Sequence, residues 1–105
     1  MNEQKCMWKI LVPKSYPDGA EISVNDHKIW DNEVSKLAGG LTIYNSVKGR
    51  WLDPKGDLIA ESVIECAIAC TFEEIRRVAQ FTKEHYNQKS VCFWKVSDAV
   101  YFIGD

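Results

Sequence analysis

The chain has 105 residues, of which 46% are hydrophobic and 27% are charged, and its formal net charge is −2. This length predicts a single domain over residues 1–105, built around one hydrophobic core. The slight acidic balance argues against a nucleic-acid partner, because nucleic-acid-binding domains usually carry a clustered basic excess. The N-terminal apolar run is too short for a secretory signal or a membrane span, so we expect a cytoplasmic protein with no membrane partner.

The sequence contains four cysteines, Cys6, Cys66, Cys70 and Cys92. Without a secretory route, cysteines in apolar, strand-like runs are expected to be reduced and buried. Cys66 and Cys70 would lie about 13 Å apart on an extended strand, too far for a mutual disulfide. Neither the cysteines nor His27 and His85 have the spacing of a zinc site, so we expect no metal site and no cofactor.

The first strand is predicted at Cys6–Val12, where apolar residues alternate before Pro13 ends the run. The first helix is predicted to begin after Ser23, whose hydroxyl can cap the free N–H groups of the first turn. Its apolar stripe should face the sheet and runs through Ile29 or Trp30, then Val34, then Leu37 or Ala38. Gly39-Gly40 should end this helix, since glycine readily takes the left-handed conformation found after a helix C-terminus.

The clearest signal is a long β-hairpin predicted at Leu41–Ala69. Strict alternation in its first strand predicts a core face and an outer face. The core face would contain Leu41, Ile43, Val47 and Trp51, and the outer face Thr42, Tyr44, Ser46, Lys48 and Arg50. The sequence Asp53-Pro54-Lys55-Gly56 fits a type I turn between the two strands.

Counting from that turn predicts the register of the hairpin, with opposed residue numbers summing to about 109 in the absence of a bulge. This register places Trp51 opposite Leu58 in the core. On the outer face it places Lys48 opposite Glu61 and Tyr44 opposite Glu65, so that the charges are complementary. A bulge near Gly49 would break the pairing beyond it.

The second helix is predicted to begin after Thr71, with Glu74 completing a capping box. A strand at Ser90–Val96 and a short extra strand at Val100–Ile103 should follow. The predicted order, β-α-β-β-α-β with a short extra C-terminal strand, is typical of a ferredoxin-like α+β domain. Its two helices would cover one face of an antiparallel sheet and leave the other face open.

The segment GGLTIYNSVKGRWLDPKGDLIAE, residues 39–61, resembles a family of small bacterial and phage proteins known as a domain of unknown function. The features that carry the likeness are a Gly-Leu-Thr strand, a Gly-x-Trp, an Asp before a glycine turn and a Glu on the return strand. In this chain these are Gly40-Leu41-Thr42, Gly49 and Trp51, Asp53 and Gly56, and Glu61. The resemblance supports the fold, implies no chemistry, and suggests a mobile-element or gene-cassette product. Members of that family are often exported, whereas this chain shows no export signal.

The candidate ligand-binding residues lie on the predicted open face and comprise Tyr44, Lys48, Arg50, Glu61, Glu65 and Trp94. Tyr44 beside Glu65 could form an acid–base couple in a dehydrated site. Glu61 and Glu65 would lie about 13 Å apart, too far for a carboxylate pair of the glycosidase type. The alternative is a cross-strand polar ladder, in which Lys48 and Glu61 form a surface ion pair.

Two functional hypotheses follow from an open sheet face that carries aromatic residues, because such a face implies a partner or a ligand. The first is a non-enzymatic domain that associates into a homodimer or higher oligomer and binds a small molecule or a protein through this face. The second is a small-molecule lyase or isomerase that uses Tyr44 with Glu65 or Glu61 in a cleft between subunits.

Overall fold

The computed structural model describes residues 4–104, with the side chains of Tyr44 and Asn45 excepted. The elements in chain order are β1 Cys6–Pro13, α1 Val24–Ala38, β2 Thr42–Leu52, β3 Leu58–Cys70, α2 Phe72–His85 and β4 Phe93–Ser97. The strands form one antiparallel sheet in the order β2-β3-β1-β4. This is the ferredoxin-like arrangement, and the predicted fold class is confirmed.

Both helices begin, and the first also ends, where their capping residues predicted. The Ser23 hydroxyl accepts a hydrogen bond from the Asp26 amide at 3.1 Å, and Gly39 ends α1 in the left-handed conformation with φ of 79°. In α2, Thr71 and Glu74 form both hydrogen bonds of a capping box. These boundaries therefore depend on capping residues that are close in the sequence.

The core lies between the two helices and the inner face of the central strands β1 and β3. Its fully buried side chains include Ile10, Val12, Trp30, Val34, Ile68, Ile75, Val78 and Tyr86. The Trp30 indole N–H donates to the Thr82 hydroxyl at 2.9 Å, and that hydroxyl donates to the Val78 carbonyl at 2.6 Å. The buried polar atoms between the helices are thus satisfied by one another.

The hairpin between β2 and β3 forms, but its predicted register is wrong near the turn. Leu52 lies opposite Leu58 and Trp51 opposite Ile59, so opposed numbers sum to 110. The cause is Gly56, which follows the type I turn in the left-handed conformation with φ of 87°. This extra residue makes a three-residue loop in which the Asp53 amide donates to the Asp57 carbonyl at 2.9 Å.

A bulge in β2 between Ile43 and Ser46 changes which residues of the strand face the helices. Before the bulge Ile43 lies opposite Cys66, as predicted, on the inner face of the sheet. One extra residue on β2 then reverses the alternation, because successive strand residues point to opposite faces. Trp51, predicted in the core, therefore lies on the open face with 40% of its surface exposed.

Because of the same bulge, two predicted site residues, Lys48 and Arg50, lie on the face of the sheet opposite to the predicted one. Lys48 lies opposite Ser62 and Arg50 opposite Ala60, so both point to the helix side of the sheet. Glu61 points to the other side, opposite Gly49. The predicted pairing of Lys48 with Glu61 is therefore wrong, because the two side chains lie on opposite faces of the hairpin.

The far half of the hairpin, residues 46–52 with residues 58–62, extends beyond the helices, and we call it the hairpin arm. The molecule measures 46 × 30 × 23 Å, and its radius of gyration of 14.6 Å exceeds the value of about 13 Å expected for a compact domain of this length. Leu52 and Leu58 on one face of the arm are 73% and 61% exposed. On the other face, Ile59 is 46% exposed. Both faces of the arm thus present apolar side chains to solvent.

The segment Val100–Ile103, predicted as a short extra strand, has irregular structure. In the described part of the chain it forms no strand pairing, and Tyr101, Phe102 and Ile103 are 87%, 73% and 105% exposed. Alternation of apolar and polar residues does not produce a strand unless the segment can hydrogen-bond to the edge of a sheet. Among residues 4–104, neither helix is long and apolar enough to cross a membrane.

Candidate functional site

The sheet face opposite the helices, called here the open face, is built by alternate residues of all four strands. Its members include Met7, Lys9 and Leu11 from β1, Val47, Gly49 and Trp51 from β2, Ile59, Glu61, Val63 and Glu65 from β3, and Trp94 from β4. The face combines apolar and aromatic side chains with three charged ones. No helix covers it.

On this face Trp51 is held in a defined position by two neighbours. Its indole N–H donates to Oε2 of Glu61 at 3.0 Å. Its ring lies directly over Gly49, so close that a Cβ atom at that position would overlap the ring. The Gly-x-Trp sequence therefore has a steric reason: residue 49 must lack a side chain for the indole to reach the carboxylate of Glu61.

Beside Trp51 the open face ends in a concave site of about 850 Å³, which we call the open-face cleft. Its lining residues are Leu11, Pro13, Ser15, Tyr16, Pro17, Gly19, Trp51, Ile59, Ala60, Glu61, Ser62, Val63, Gln88, Lys89, Ser90 and Cys92. The sheet and the hairpin arm form its floor and one wall, and the loops after β1 and α2 form the rest. Its volume lies in the range of sites that bind small molecules.

The polar groups of the open-face cleft lie around an apolar floor formed by residues such as Leu11, Ile59 and Val63. Glu61 supplies a carboxylate, and Lys89 supplies an ammonium group. The Tyr16 hydroxyl donates to Oδ2 of Asp26, and this hydrogen bond raises the pKa of Tyr16 above its ordinary value. Tyr16 is therefore better suited to line the cleft in a fixed position than to donate a proton as a general acid.

Glu65 and Trp94 lie on the open face but outside the cleft lining. Oε1 of Glu65 lies 2.6 Å from the Lys9 ammonium, and the side chains of Lys9 and Glu65 are 31% and 20% exposed. Trp94 lies opposite Lys9 in the β1–β4 pair and is 40% exposed. Glu65 is thus committed to an ion pair, which disfavours a role as a free catalytic base.

The sequence-predicted site is therefore brought together only in part. Glu61 lies in the cleft, Glu65 and Trp94 lie elsewhere on the open face, and Lys48 and Arg50 lie on the other face. The side chain of Tyr44 lies outside the described residues, so its proposed pairing with Glu65 stays a prediction.

A scan against protein-family models finds no match, and no curated protein matches the sequence. Among solved structures, the chain is similar to a phage SAM lyase in complex with S-methyl-5'-thioadenosine, with a TM-score of 0.70 and 13% identity over 95% of this chain and 86% of that one. It is also similar to the periplasmic divalent cation tolerance protein CutA from Archaeoglobus fulgidus, with a TM-score of 0.64 and 15% identity over 89% and 82% of the chains. The divalent cation tolerance protein CutA1 from Thermus thermophilus gives a TM-score of 0.68 and 11% identity over 94% and 88% of the chains.

These structures share the fold. At 11–15% identity they carry no activity across to this chain. Among residues 4–104, no group of three or more His, Cys, Asp or Glu side chains is arranged to hold a metal ion.

Both histidines form hydrogen bonds that join the two helices. Nδ1 of His27 lies 2.7 Å from the Tyr86 hydroxyl, and Nε2 of His85 lies 2.8 Å from the Asp26 carbonyl oxygen. Burial lowers the pKa of His27 and raises the pKa of Asp31 on the same helix. This network stabilises the packing of α1 on α2, behind the sheet from the open-face cleft.

Among the residues that line the cleft, sequence reasoning predicted only Glu61 as a site residue, and those it missed include Trp51, Tyr16 and Lys89. The alternation predicts Trp51 in the core because the bulge in β2 has no clear sequence signature. The available signal was Gly49 in the Gly-x-Trp motif, since a glycine inside a strand often marks a place where another group closely approaches the backbone. Tyr16 and Lys89 follow regular elements, in loops whose path the sequence does not dictate.

Proposed function

We propose that this chain is a self-associating domain that binds a small molecule in the open-face cleft. The observation that carries the proposal is the Trp51 indole, fixed by Glu61 over Gly49 at the edge of an apolar cleft. Holding a half-exposed tryptophan in one orientation costs conformational entropy, and the exposed part of the ring contributes no stabilisation from burial. A ligand that packs against the ring would recover that cost.

The chemistry of the cleft favours a ligand with a flat, largely apolar ring and a polar end. The indole and the side chains of Leu11, Ile59 and Val63 offer apolar contact to a ring. Glu61 accepts the Trp51 N–H through one carboxylate oxygen, and its charge can attract an N–H or cationic group of the ligand. Lys89 can neutralise an acidic group on the same ligand.

Self-association is supported by the hairpin arm. An arm with apolar residues exposed on both faces is unusual for a small monomer. Apolar side chains that extend into water contribute little to the stability of the fold. Trp51, Ile59 and Glu61 belong both to the arm and to the open-face cleft. A second copy packed against the arm would therefore form a further wall of the cleft.

Binding is tested with S-methyl-5'-thioadenosine and adenosine as probes, by isothermal titration calorimetry. The wild-type chain should bind at least one of them, and Glu61→Gln should weaken binding about tenfold or more through loss of the charge. Lys48→Gln, on the other face of the same strand pair, is the matched control and should bind as the wild type does. Equal affinities for all three proteins would contradict a site at Glu61.

Self-association is tested by size-exclusion chromatography with light scattering. We expect a dimer or higher oligomer at tens of micromolar protein. The double change Leu52→Ser and Leu58→Ser on the arm should shift the population toward monomer without unfolding the domain, because both residues lie outside the core. A clean wild-type monomer would refute this part of the proposal.

A second candidate function is a lyase that acts on a sulfonium nucleoside, in a cleft between subunits. The observation that favours it is the fold shared with the phage SAM lyase bound to S-methyl-5'-thioadenosine. In this reading Glu61 or Tyr44 would take the acid–base role, because Glu65 is held in its ion pair with Lys9. Incubation with SAM should release S-methyl-5'-thioadenosine in the wild type and not in Glu61→Gln. Binding of the product without turnover would favour the binding role instead.

The proposal keeps a cytoplasmic location and an origin in a mobile element as its working assumptions. The phage source of one structure of the same fold supports the second, whereas a CutA structure of this fold is described as periplasmic. Fractionation of cells that express the tagged full chain tests the first assumption.

A further inference from the structure

Two of the four cysteines face each other across neighbouring strands. Cys6, the first residue of β1, lies directly opposite Cys70, the last residue of β3. Opposed residues of antiparallel strands have Cα atoms about 4.5 or 5.5 Å apart and side chains on the same face. Both distances fall in the range that a disulfide spans. Both thiols are free in the structure.

The other two cysteines are poorly placed to compete. Cys66 lies opposite Ile10, four residues along the strand from Cys70. Cys92 lies beside Leu11, whose amide donates to the Cys92 carbonyl at 3.1 Å. Leu11 is five residues from Cys6, which is about 17 Å along an extended strand. Of the four cysteines, Cys6 and Cys70 are thus the pair that the sheet places directly opposite each other.

We propose that Cys6 and Cys70 form a reversible disulfide under peroxide, and that this bond releases the C-terminal segment from the sheet. The proposal is independent of the ligand and of the oligomeric state. It adds a modification site at the end of the sheet away from the open-face cleft.

The reaction begins at Cys6, which is half-buried, whereas Cys70 is fully buried. The Cys6 thiolate attacks one oxygen of hydrogen peroxide, the O–O bond breaks, and sulfenic acid forms with release of hydroxide. The Cys70 sulfur then attacks the Cys6 sulfur, the S–O bond breaks, and the thiol proton leaves with the oxygen as water. In sum, two thiols and one peroxide give one disulfide and two waters.

Burial controls the second step. It raises the pKa of the Cys70 thiol to about 12, because the thiolate is poorly solvated there. Ring closure should therefore be slow at neutral pH and faster in mildly alkaline solution. Such a pair reacts with sustained peroxide rather than with brief exposure.

The structural consequence follows from the hydrogen bond that Cys6 makes. Its thiol donates to the Asp98 carbonyl oxygen at 3.4 Å, and a disulfide sulfur has no proton to donate. Asp98 begins the segment in which Val100 and Phe102 line a small cavity of about 270 Å³ against the open face. Oxidation removes one attachment of this segment, and the ion pair of Lys95 with Asp98 at 2.8 Å remains.

The test is peptide mapping of the full chain after hydrogen peroxide treatment and alkylation. We expect the tryptic peptide of residues 6–9 joined to that of residues 56–76, with fragmentation placing the link at Cys70 rather than Cys66. The link should disappear with dithiothreitol. Cys92→Ser should form it as the wild type does, and Cys6→Ser should not.

Two results would overturn the proposal. One is oxidation of Cys6 to sulfinic acid, or a link to another cysteine, with no bond to Cys70. The other is a bond to Cys70 that leaves the ¹⁵N heteronuclear NOE values of residues 99–104 unchanged from the reduced protein, since release of the segment must lower those values. Lower values that are confined to the oxidised wild type support both the disulfide and the release of the segment.

Discussion

The Trp51 indole lies directly over the backbone of Gly49, two residues earlier on the same strand, and from there its N–H reaches Glu61 on the neighbouring strand. A side chain at residue 49 and this position of the ring exclude each other. Trp51 and Glu61 both line the open-face cleft. The shape of the cleft therefore depends on the presence of glycine at position 49.

Gly49→Ala should displace the Trp51 ring and break its hydrogen bond to Glu61. Alanine normally stabilises a strand relative to glycine by about 0.5–1 kcal/mol, but here the gain is offset by the displaced ring. In a Trp51→Ala background nothing blocks the new methyl group, so the same change should stabilise by about that amount. A double-mutant cycle by urea denaturation measures the difference. Equal effects in both backgrounds would show that the ring does not occupy this position.

Glu65→Gln should cost about 0.5–1 kcal/mol of unfolding free energy, because its ion pair with Lys9 is only partly buried. The loss should shrink when the ionic strength is raised, since salt screens the pair. Urea denaturation at low and high salt measures both effects. A loss above about 2 kcal/mol that is insensitive to salt would instead indicate a buried charge left without its partner.

Thr82→Val should destabilise the fold strongly, although the two side chains have similar volumes. The hydroxyl accepts from the buried Trp30 indole, and valine leaves that N–H without a partner at a cost of about 1–3 kcal/mol. Thr82→Ser keeps the hydroxyl and is the matched control, with a smaller loss from one missing methyl group. If the two variants lost equal stability, packing rather than the hydrogen bond would be the cause.

His27 should make the domain less stable in mild acid. Burial lowers its pKa below the ordinary value of 6.5, so around and below that pH the unfolded chain binds more protons than the folded one. The contribution of His27 to stability is therefore present above pH 6.5 and is lost as the pH falls toward its folded pKa. Asp31, whose pKa is raised by burial, acts in the opposite direction closer to its ordinary value of 3.8.

Urea denaturation between pH 5 and 8 measures this effect. His27→Gln should flatten the decline that the wild type shows below pH 6.5, whereas His85→Gln serves as the comparison on the other helix. A decline of the same steepness in His27→Gln would assign the acid sensitivity to other groups.

The sequence predicted those parts of the fold that depend on local rules. Ser23 and Thr71 cap their helices, Gly39 ends the first, and alternation in β1 and β3 marks their faces. These features depend on nearest neighbours along the chain, which a sequence displays directly.

The candidate site was harder to predict because its geometry depends on single-residue irregularities. Gly56 in the left-handed conformation adds one residue to the turn, and the bulge after Ile43 adds one to β2. Each shifts the register by one, and a shift of one moves a side chain to the opposite face. Trp51 and Lys48 exchanged faces for this reason, while Glu61, on the regular strand β3, stayed where alternation predicted.

The central claim is that a small molecule binds in the open-face cleft against Trp51. The most direct test is a titration of the ¹⁵N-labelled chain with S-methyl-5'-thioadenosine, following the indole N–H signals of the four tryptophans. We predict a saturable shift of the Trp51 signal, little change at the buried Trp30, and loss of the effect in Glu61→Gln. An unchanged Trp51 signal at millimolar probe, or equal shifts at Trp51 and at Trp94 outside the cleft, would contradict the account.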